Sequence, residues 1–285
     1  MPRDVARDAL YSARINLWVE DDLMRAYLET LWDDPAVKFL IGGGIGGVVA
    51  ILKDAEEAGY SNVFGVVDRD HGRSNHADWL VPGRAFRKFI LPRHEMENYL
   101  LDTPALAGCR LNTHGRTAAE IDAFLDAEAS RRCWWAACRQ VVSLIRDRFF
   151  DRFLKAPKTP PVDTEVAAGE HITGSDWFLG LQRKSKGMTP ARVHRLLTRA
   201  HDRALRKRHD GSWRNDFSGK EFLREIGNRI FDQVADPPRS RPSPPKFDAD
   251  LAKEVARWQV ANGAVPAELG DLLIALKARV APPPP

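Results

Sequence analysis

The sequence predicts an α/β fold: a Rossmann-like, four-stranded, mainly parallel sheet flanked by helices, followed by a mostly α-helical second half. Three observations predict it. Apolar runs that do not alternate with polar residues stand at 15–19 (INLWV), 37–41 (VKFLI), 62–67 (NVFGVV) and 85–91 (AFRKFIL). Such runs suit strands buried on both faces, the condition of a parallel sheet covered by helices. Helical patterns at 21–32 and 48–58 separate the first three runs, giving the strand–helix–strand alternation of crossover units. Beyond Asp102 the texture becomes almost wholly helical.

The second half reads as a series of helices. Residues 117–154 form one long helix or two with a kink. A helix over 190–207 opens on Pro190, well placed in a first turn. Another follows Ser218, where S-G-K-E puts Ser218 and Glu221 at capping-box spacing. A last pair lies near 248–260 and 266–279. Proline-rich breaks at 156–161 and 236–246 separate these blocks, and the PPPP terminus is expected to fray. The expected organisation is a catalytic domain over 1–105 and a helical domain over 106–285, the latter holding a basic helix at 190–208 and the linker at 236–246.

Composition narrows the classes. Of 285 residues, 44% are apolar and 29% charged, an ordinary globular balance with ample core. No run reaches the roughly 18 apolar residues that cross a bilayer, and MPRDVARDAL lacks the apolar centre of a secretory signal. The expected compartment is the cytoplasm, with no membrane partner. Cys109, Cys133 and Cys138 are too few for a disulfide framework and read as buried small side chains. The net charge of +4 is mild, so its distribution carries the information.

Carboxylates follow the strands. Glu20, Asp21 and Asp22 come directly after the first, Asp68 and Asp70 directly after the third. The carboxyl ends of parallel strands share one edge, where open α/β sheets place ligands. Carboxylates gathered there repel one another unless a cation sits among them, and hard divalent ions take such oxygen donors. The reading is a Mg²⁺ or Mn²⁺ site built on Glu20, Asp68 and Asp70, with Asp22 as a further ligand. Taken singly, Asp21, Asp22 and Asp70 are read first as helix caps or first-turn acids. A third acidic element is RHEMENYLLD (93–102). Glu95 and Glu97 would point about 200° apart on a helix, so one of them faces the site; Glu97 is chosen and Glu95 kept in reserve.

These segments resemble the TOPRIM family of topoisomerases, primases and OLD-family nucleases. The pieces are LWVEDD (17–22), FLIGGG (39–44), NVFGVVDRDHG (62–72) and HEMENYLLD (94–102), with GKEFLREI (219–226) a looser one. The last firm piece is similar to stand-alone TOPRIM proteins encoded beside ABC-type ATPases in bacterial phage-defence loci. The resemblance implies that Glu20 is the general acid/base or a ligand, Asp68 and Asp70 the metal pair, and Glu97 an accessory acid. It also implies a nuclease effector in antiviral defence with an ABC-type ATPase as partner. Asp21 departs from the pattern, since a glycine usually follows the glutamate. The four tyrosines all stand in or around the small domain, which favours hydrolysis over topoisomerase chemistry.

Two other features are weighed. Gly42, Gly44 and Gly47 fit G-x-G-x-x-G between a strand and a helix, so an NAD-binding oxidoreductase is a rival. Against it, a strand with its own acidic end precedes the glycines, and the strands are too few for a full dinucleotide fold. Gly42, Gly43 and Gly44 are read as a turn that lets phosphate approach the backbone. Between Arg183 and Arg214 stand eleven Lys or Arg against two acids. Within the helix from Pro190, Val193, Leu196, Leu197, Ala200 and Ala204 make an apolar stripe. Arg192, Arg195, Arg199, Arg203 and Arg206, with Lys207, make a positive one suited to phosphates of DNA or RNA. Trp177 and Trp213 are read as buried rather than base-stacking. The alternative class is a non-catalytic nucleic-acid- or partner-binding subunit regulating an ATPase. The oligomeric state stays open, a homodimer among the options.

Overall fold

The computed structural model describes residues 5–149, 162–184, 188–231 and 244–280. The first-half elements are α1 (Val5–Leu10), β1 (Ile15–Val19), α2 (Asp22–Trp32), β2 (Val37–Ile41), α3 (Ile45–Glu57), β3 (Val63–Val67), β4 (Lys88–Ile90) and α4 (Thr103–Gly108). Then come α5 (Ala118–Arg131), α6 (Cys133–Phe149), α7 (Glu165–Thr173), α8 (Asp176–Lys184) and α9 (Pro190–His209). The chain ends with α10 (Trp213–Asp216), α11 (Gly219–Glu225), α12 (Pro244–Ala261) and α13 (Ala267–Val280). No described helix is long and apolar enough to cross a membrane.

The chain forms two compact units, Met1–Ala118 with Leu223–Pro285, and Ala119–Phe222. This differs from the expected division into 1–105 and 106–285, because the C-terminal helices belong to the α/β unit. The cause is visible in α2. Leu23, Met24, Ala26, Tyr27, Leu28 and Leu31 are all buried, more than one helix face can hide against a sheet. α12 covers the remaining side of α2 with the stripe Leu251, Ala252, Val255 and Ala256. Buried Gln259 closes this seam, accepting from the Tyr27 hydroxyl at 2.6 Å and donating to Asp102 at 3.0 Å. The proline-rich break at 156–161 and most of that at 236–246 lie outside the described residues, as do the final prolines.

The four strands are all parallel, in the order β2-β1-β3-β4. β1 therefore has β2 on one side and β3 on the other, and the connections leave it in opposite directions. The gap between β1 and β3 is the topological switch point, whose carboxyl end is where such sheets form a ligand crevice. Val48, Leu52 and Ala55 of α3 pack on Val63 and Val67 on one sheet face. Gly65 makes that approach close: an added Cβ would lie 2.5 Å from Val48. β4 is shorter than the expected 85–91 because it is an edge strand with ladder partners on one side only. Its other side is satisfied by Asn75, whose amide accepts from Ile90 N at 2.8 Å and donates to Lys88 O at 2.9 Å. A side chain thus does what a fifth strand would do, and caps an edge otherwise open to pairing.

An ion pair ties α12 to the end of α4. The hydrogen bonds from Arg110 hold the Glu254 carboxyl at about 2, below its ordinary 4.5. A depressed carboxyl pKa contributes stability that is fully present above pH 4.5 and lost as pH falls towards 2. Glu254→Gln is expected to lower the melting temperature at neutral pH, with the difference closing as pH falls through that window. Because Arg110 is exposed, the effect should shrink in high salt. Thermal melts of both proteins from neutral pH to about 2 check this.

In the second unit the expected 117–154 segment is two helices, interrupted at Arg132 between α5 and α6. Arg132 is only 1% exposed; Glu128 faces it at 3.3 Å and Glu221 at 3.9 Å, and its guanidinium lies over Trp135 and Phe222. A buried guanidinium needs such partners, and supplying them fixes the end of GKEFLREI that carries Glu221 and Phe222. Trp135, Val141, Ile145, Phe178, Val193 and Leu197 form the core here. All three cysteines are free and buried, and burial pushes the Cys138 thiol up to about 12. Trp213 is fully buried and Trp177 packs half-buried on the core.

Candidate metal centre at the strand ends

The site begins where β1 and β3 stop. Glu20 follows β1, and its Oε1 accepts from the backbone N–H of Asp68 at 2.7 Å across the switch point. Asp68, 7% exposed, in turn uses Oδ1 to accept from Met96 N at 2.8 Å. That bond draws the segment after β4 onto the ends of the other strands. Asp70 adopts a left-handed φ of 48°, donates its N–H to His94 O at 2.8 Å, and offers its own carbonyl to His94 Nδ1. Three segments far apart in sequence are thereby stitched into one acidic edge.

Gly44 borders this edge. Its N–H donates to the Glu20 carbonyl at 2.9 Å, and a Cβ placed on it would lie 4.0 Å from Glu20 Oε2. With φ +99° it takes a backbone shape that side chains avoid, and it starts α3 with no side-chain cap. The start of α3 accordingly lies at the margin of the site, and a helix N-terminus favours anions. Gly42 plays a different part from the expected one. Its Cβ would meet Val48 at 2.6 Å, so it permits close packing of β2 on α3.

Among the described residues, donor atoms of Asp70, His94 and Glu95 lie within 4.8 Å of one another. Glu95 was the reserve choice beside Glu97, and the helix expected there is instead a short 3-10 turn, Met96–Leu100. Glu95 is its N-cap in extended conformation, so the two glutamates are not related by the helical angle. Glu97 is buried within the turn itself. His94 had no signal beyond lying in RHEMENYLLD.

The remaining acids divide by local role. Asp21 caps α2, accepting from Met24 N at 3.0 Å, which accounts for an aspartate where the resembling family has glycine. Asp22 is the first residue of α2, half-exposed and paired with Arg25 at 2.6 Å, and it does not belong to the donor group. Asp248 of α12 was not foreseen. Burial, and then the charge of Asp21, raise its carboxyl above the ordinary value, so the acidic margin continues onto the C-terminal helix.

In the second unit, α9 carries the apolar and basic stripes on opposite faces. Val193, Leu197, Ala200 and Ala204 are buried, while Arg195, Arg199 and Arg206 are exposed on one face, with no ion pair to them among the described residues. Lys207 is held by Asp216 at 2.8 Å, Arg203 donates to Gln140 at 3.4 Å, and Arg192 is half-buried. No family model, curated protein or solved structure matches the chain.

Proposed function

We propose that this chain is a Mg²⁺- or Mn²⁺-dependent phosphodiesterase acting on nucleic acid. The observation that carries the reading is the hydrogen bond from the Asp68 backbone to the Glu20 carboxylate across the switch point, with the donor group of Asp70, His94 and Glu95 following the same strand ends. Acidic side chains at the ligand crevice of a parallel sheet suit a divalent cation, and a helix N-terminus at its margin suits a phosphate. When bound, the ion supplies charge neutralisation at the scissile phosphate and acidifies water. Asp68 and Asp70 would hold it. Glu20, held in place by the Asp68 N–H, would accept a proton from the attacking water. The N–H groups at Gly43 and in the first turn of α3 would orient a non-bridging phosphate oxygen.

The TOPRIM resemblance supports the same assignment, and the role in antiviral defence with an ABC-type ATPase partner rests on that resemblance. An NAD-binding role is less well supported, since the glycine turn follows the edge strand β2 rather than a strand at the switch point. The test is cleavage of plasmid DNA, single-stranded DNA and total tRNA in Mg²⁺, Mn²⁺ and EDTA, with and without the candidate ATPase. Metal-dependent cutting supports the reading and names the substrate. Absence of cutting under every condition would leave a binding subunit.

The face of Arg195, Arg199 and Arg206 is expected to contact phosphates. Replacing all three with alanine should weaken binding to a non-cleaved nucleic acid irrespective of sequence. It should also reduce the slope of log affinity against log salt by about 2–3. An unchanged slope in fluorescence anisotropy titrations would show that this face is merely solvated.

A further inference from the structure

The turn after β4 adds a nitrogen donor to an edge otherwise made of carboxylates. We propose that Asp70, His94 and Glu95 form a mixed nitrogen–oxygen site that takes a first-row transition cation, Mn²⁺ or Co²⁺, in preference to Mg²⁺. The proposal rests on the metal-site reading above and deepens it.

The argument starts from proton placement on His94, which is 1% exposed. Its Nδ1 faces the carbonyl oxygen of Asp70, and a carbonyl only accepts, so Nδ1 carries the proton. In the neutral ring Nε2 is then a lone pair, and it lies 3.8 Å from Oε1 of Glu95, itself 3% exposed. A ring nitrogen and a carboxylate oxygen facing each other away from water present a pair of donors to a cation between them. A backbone carbonyl on the far ring nitrogen is also the outer hydrogen bond that orients metal-binding histidines.

The supporting residues are firm where they need to be. The His71 ring packs against His94 with centroids 4.7 Å apart. Asn98 accepts from Glu95 N at 2.9 Å, and the Glu95 carboxylate accepts in return from the turn's backbone. The third donor, Asp70, is exposed and so able to adjust. An ion of this class sits about 2.0–2.2 Å from each donor, so the observed spacing of up to 4.8 Å has to contract, and Asp70 is the donor placed to close it. Imidazole suits transition ions, whereas Mg²⁺ prefers oxygen and keeps its water.

The test uses the full chain stripped of metal, titrated with Co²⁺ by visible absorption and with Mn²⁺ by electron paramagnetic resonance, Mg²⁺ serving as competitor. Mn²⁺ should bind about tenfold or more tightly than Mg²⁺. His94→Asn keeps an amide donor for the Asp70 carbonyl but removes the Nε2 ligand. It should weaken Co²⁺ and Mn²⁺ about tenfold or more, alter the Co²⁺ bands, and narrow the preference over Mg²⁺. Glu95→Gln, which retains an acceptor for the turn, should also weaken binding and serves if His94→Asn fails to fold by circular dichroism. Unchanged Co²⁺ bands and affinity in both variants would overturn the proposal in favour of an all-oxygen site. No binding of Co²⁺ or Mn²⁺ by the wild type would overturn it as well. Either result leaves the phosphodiesterase reading to stand on its own cleavage test, and binding through His94 without any cleavage would sink that reading alone.

Discussion

Glu20→Gln is expected to reduce metal-dependent cleavage by about two to four orders of magnitude while leaving the fold intact. The amide oxygen still accepts from Asp68 N, so the link between β1 and β3 survives. What disappears is the charge and the basic oxygen that would take a proton from water. Asp68→Asn separates the same quantities, keeping an acceptor for Met96 N while removing one negative charge from the edge. The check is paired: rates of cleavage in Mn²⁺ and Mg²⁺, and thermal melts in EDTA. Full activity in either variant would place the chemistry elsewhere in the molecule. Loss of activity together with loss of the cooperative melt would show a structural role.

A larger effect on stability is expected in the first turn of α3, where the adjacent Gly46 and Gly47 should respond with opposite signs. A Cβ on Gly47 would stand 1.9 Å from the carbonyl oxygen of Gly42, a backbone atom that has no rotamer by which to retreat. Gly47→Ala should therefore push α3 off β2 and cost about 3 kcal/mol or more, at the upper end of overpacking effects. It should also displace the Gly44 N–H from the Glu20 carbonyl and impair the site. Gly46 has open space around the same position. Gly46→Ala should stabilise by about 0.4–1 kcal/mol, because alanine loses less backbone freedom on entering a helix. Denaturant unfolding of the two variants beside the wild type measures the contrast. Equal effects would mean that the turn is looser than its geometry indicates.

Legibility in the sequence followed the reach of the forces involved. INLWV and VKFLI mark β1 and β2 to the residue, because mostly apolar runs without strict alternation are what parallel strands covered by helices require, Asn16 and Lys38 notwithstanding. AFRKFIL overstates β4, since apolar character reports burial whereas strand length there depends on a neighbour on one side only. Asp21 and Asp22 look alike in sequence. One caps a helix and the other pairs with Arg25, a distinction made by a single turn of backbone. Helical geometry makes Glu95 and Glu97 alternatives at the site, and the 3-10 turn does not follow that geometry.

By itself the sequence determined the α/β class, the helix periodicities and the gathering of Glu20, Asp68 and Asp70 on one edge. Local patterning sets those elements, and parallel strands necessarily bring their carboxyl ends together. Only the tertiary structure decided that His94 and Glu95 meet Asp70, that Asp248 adjoins Asp21, and that α12 and α13 complete the α/β unit. Each of these depends on packing between residues distant along the chain, where an α2 apolar around more than half its circumference must find a second cover, and no local pattern specifies which segment supplies it.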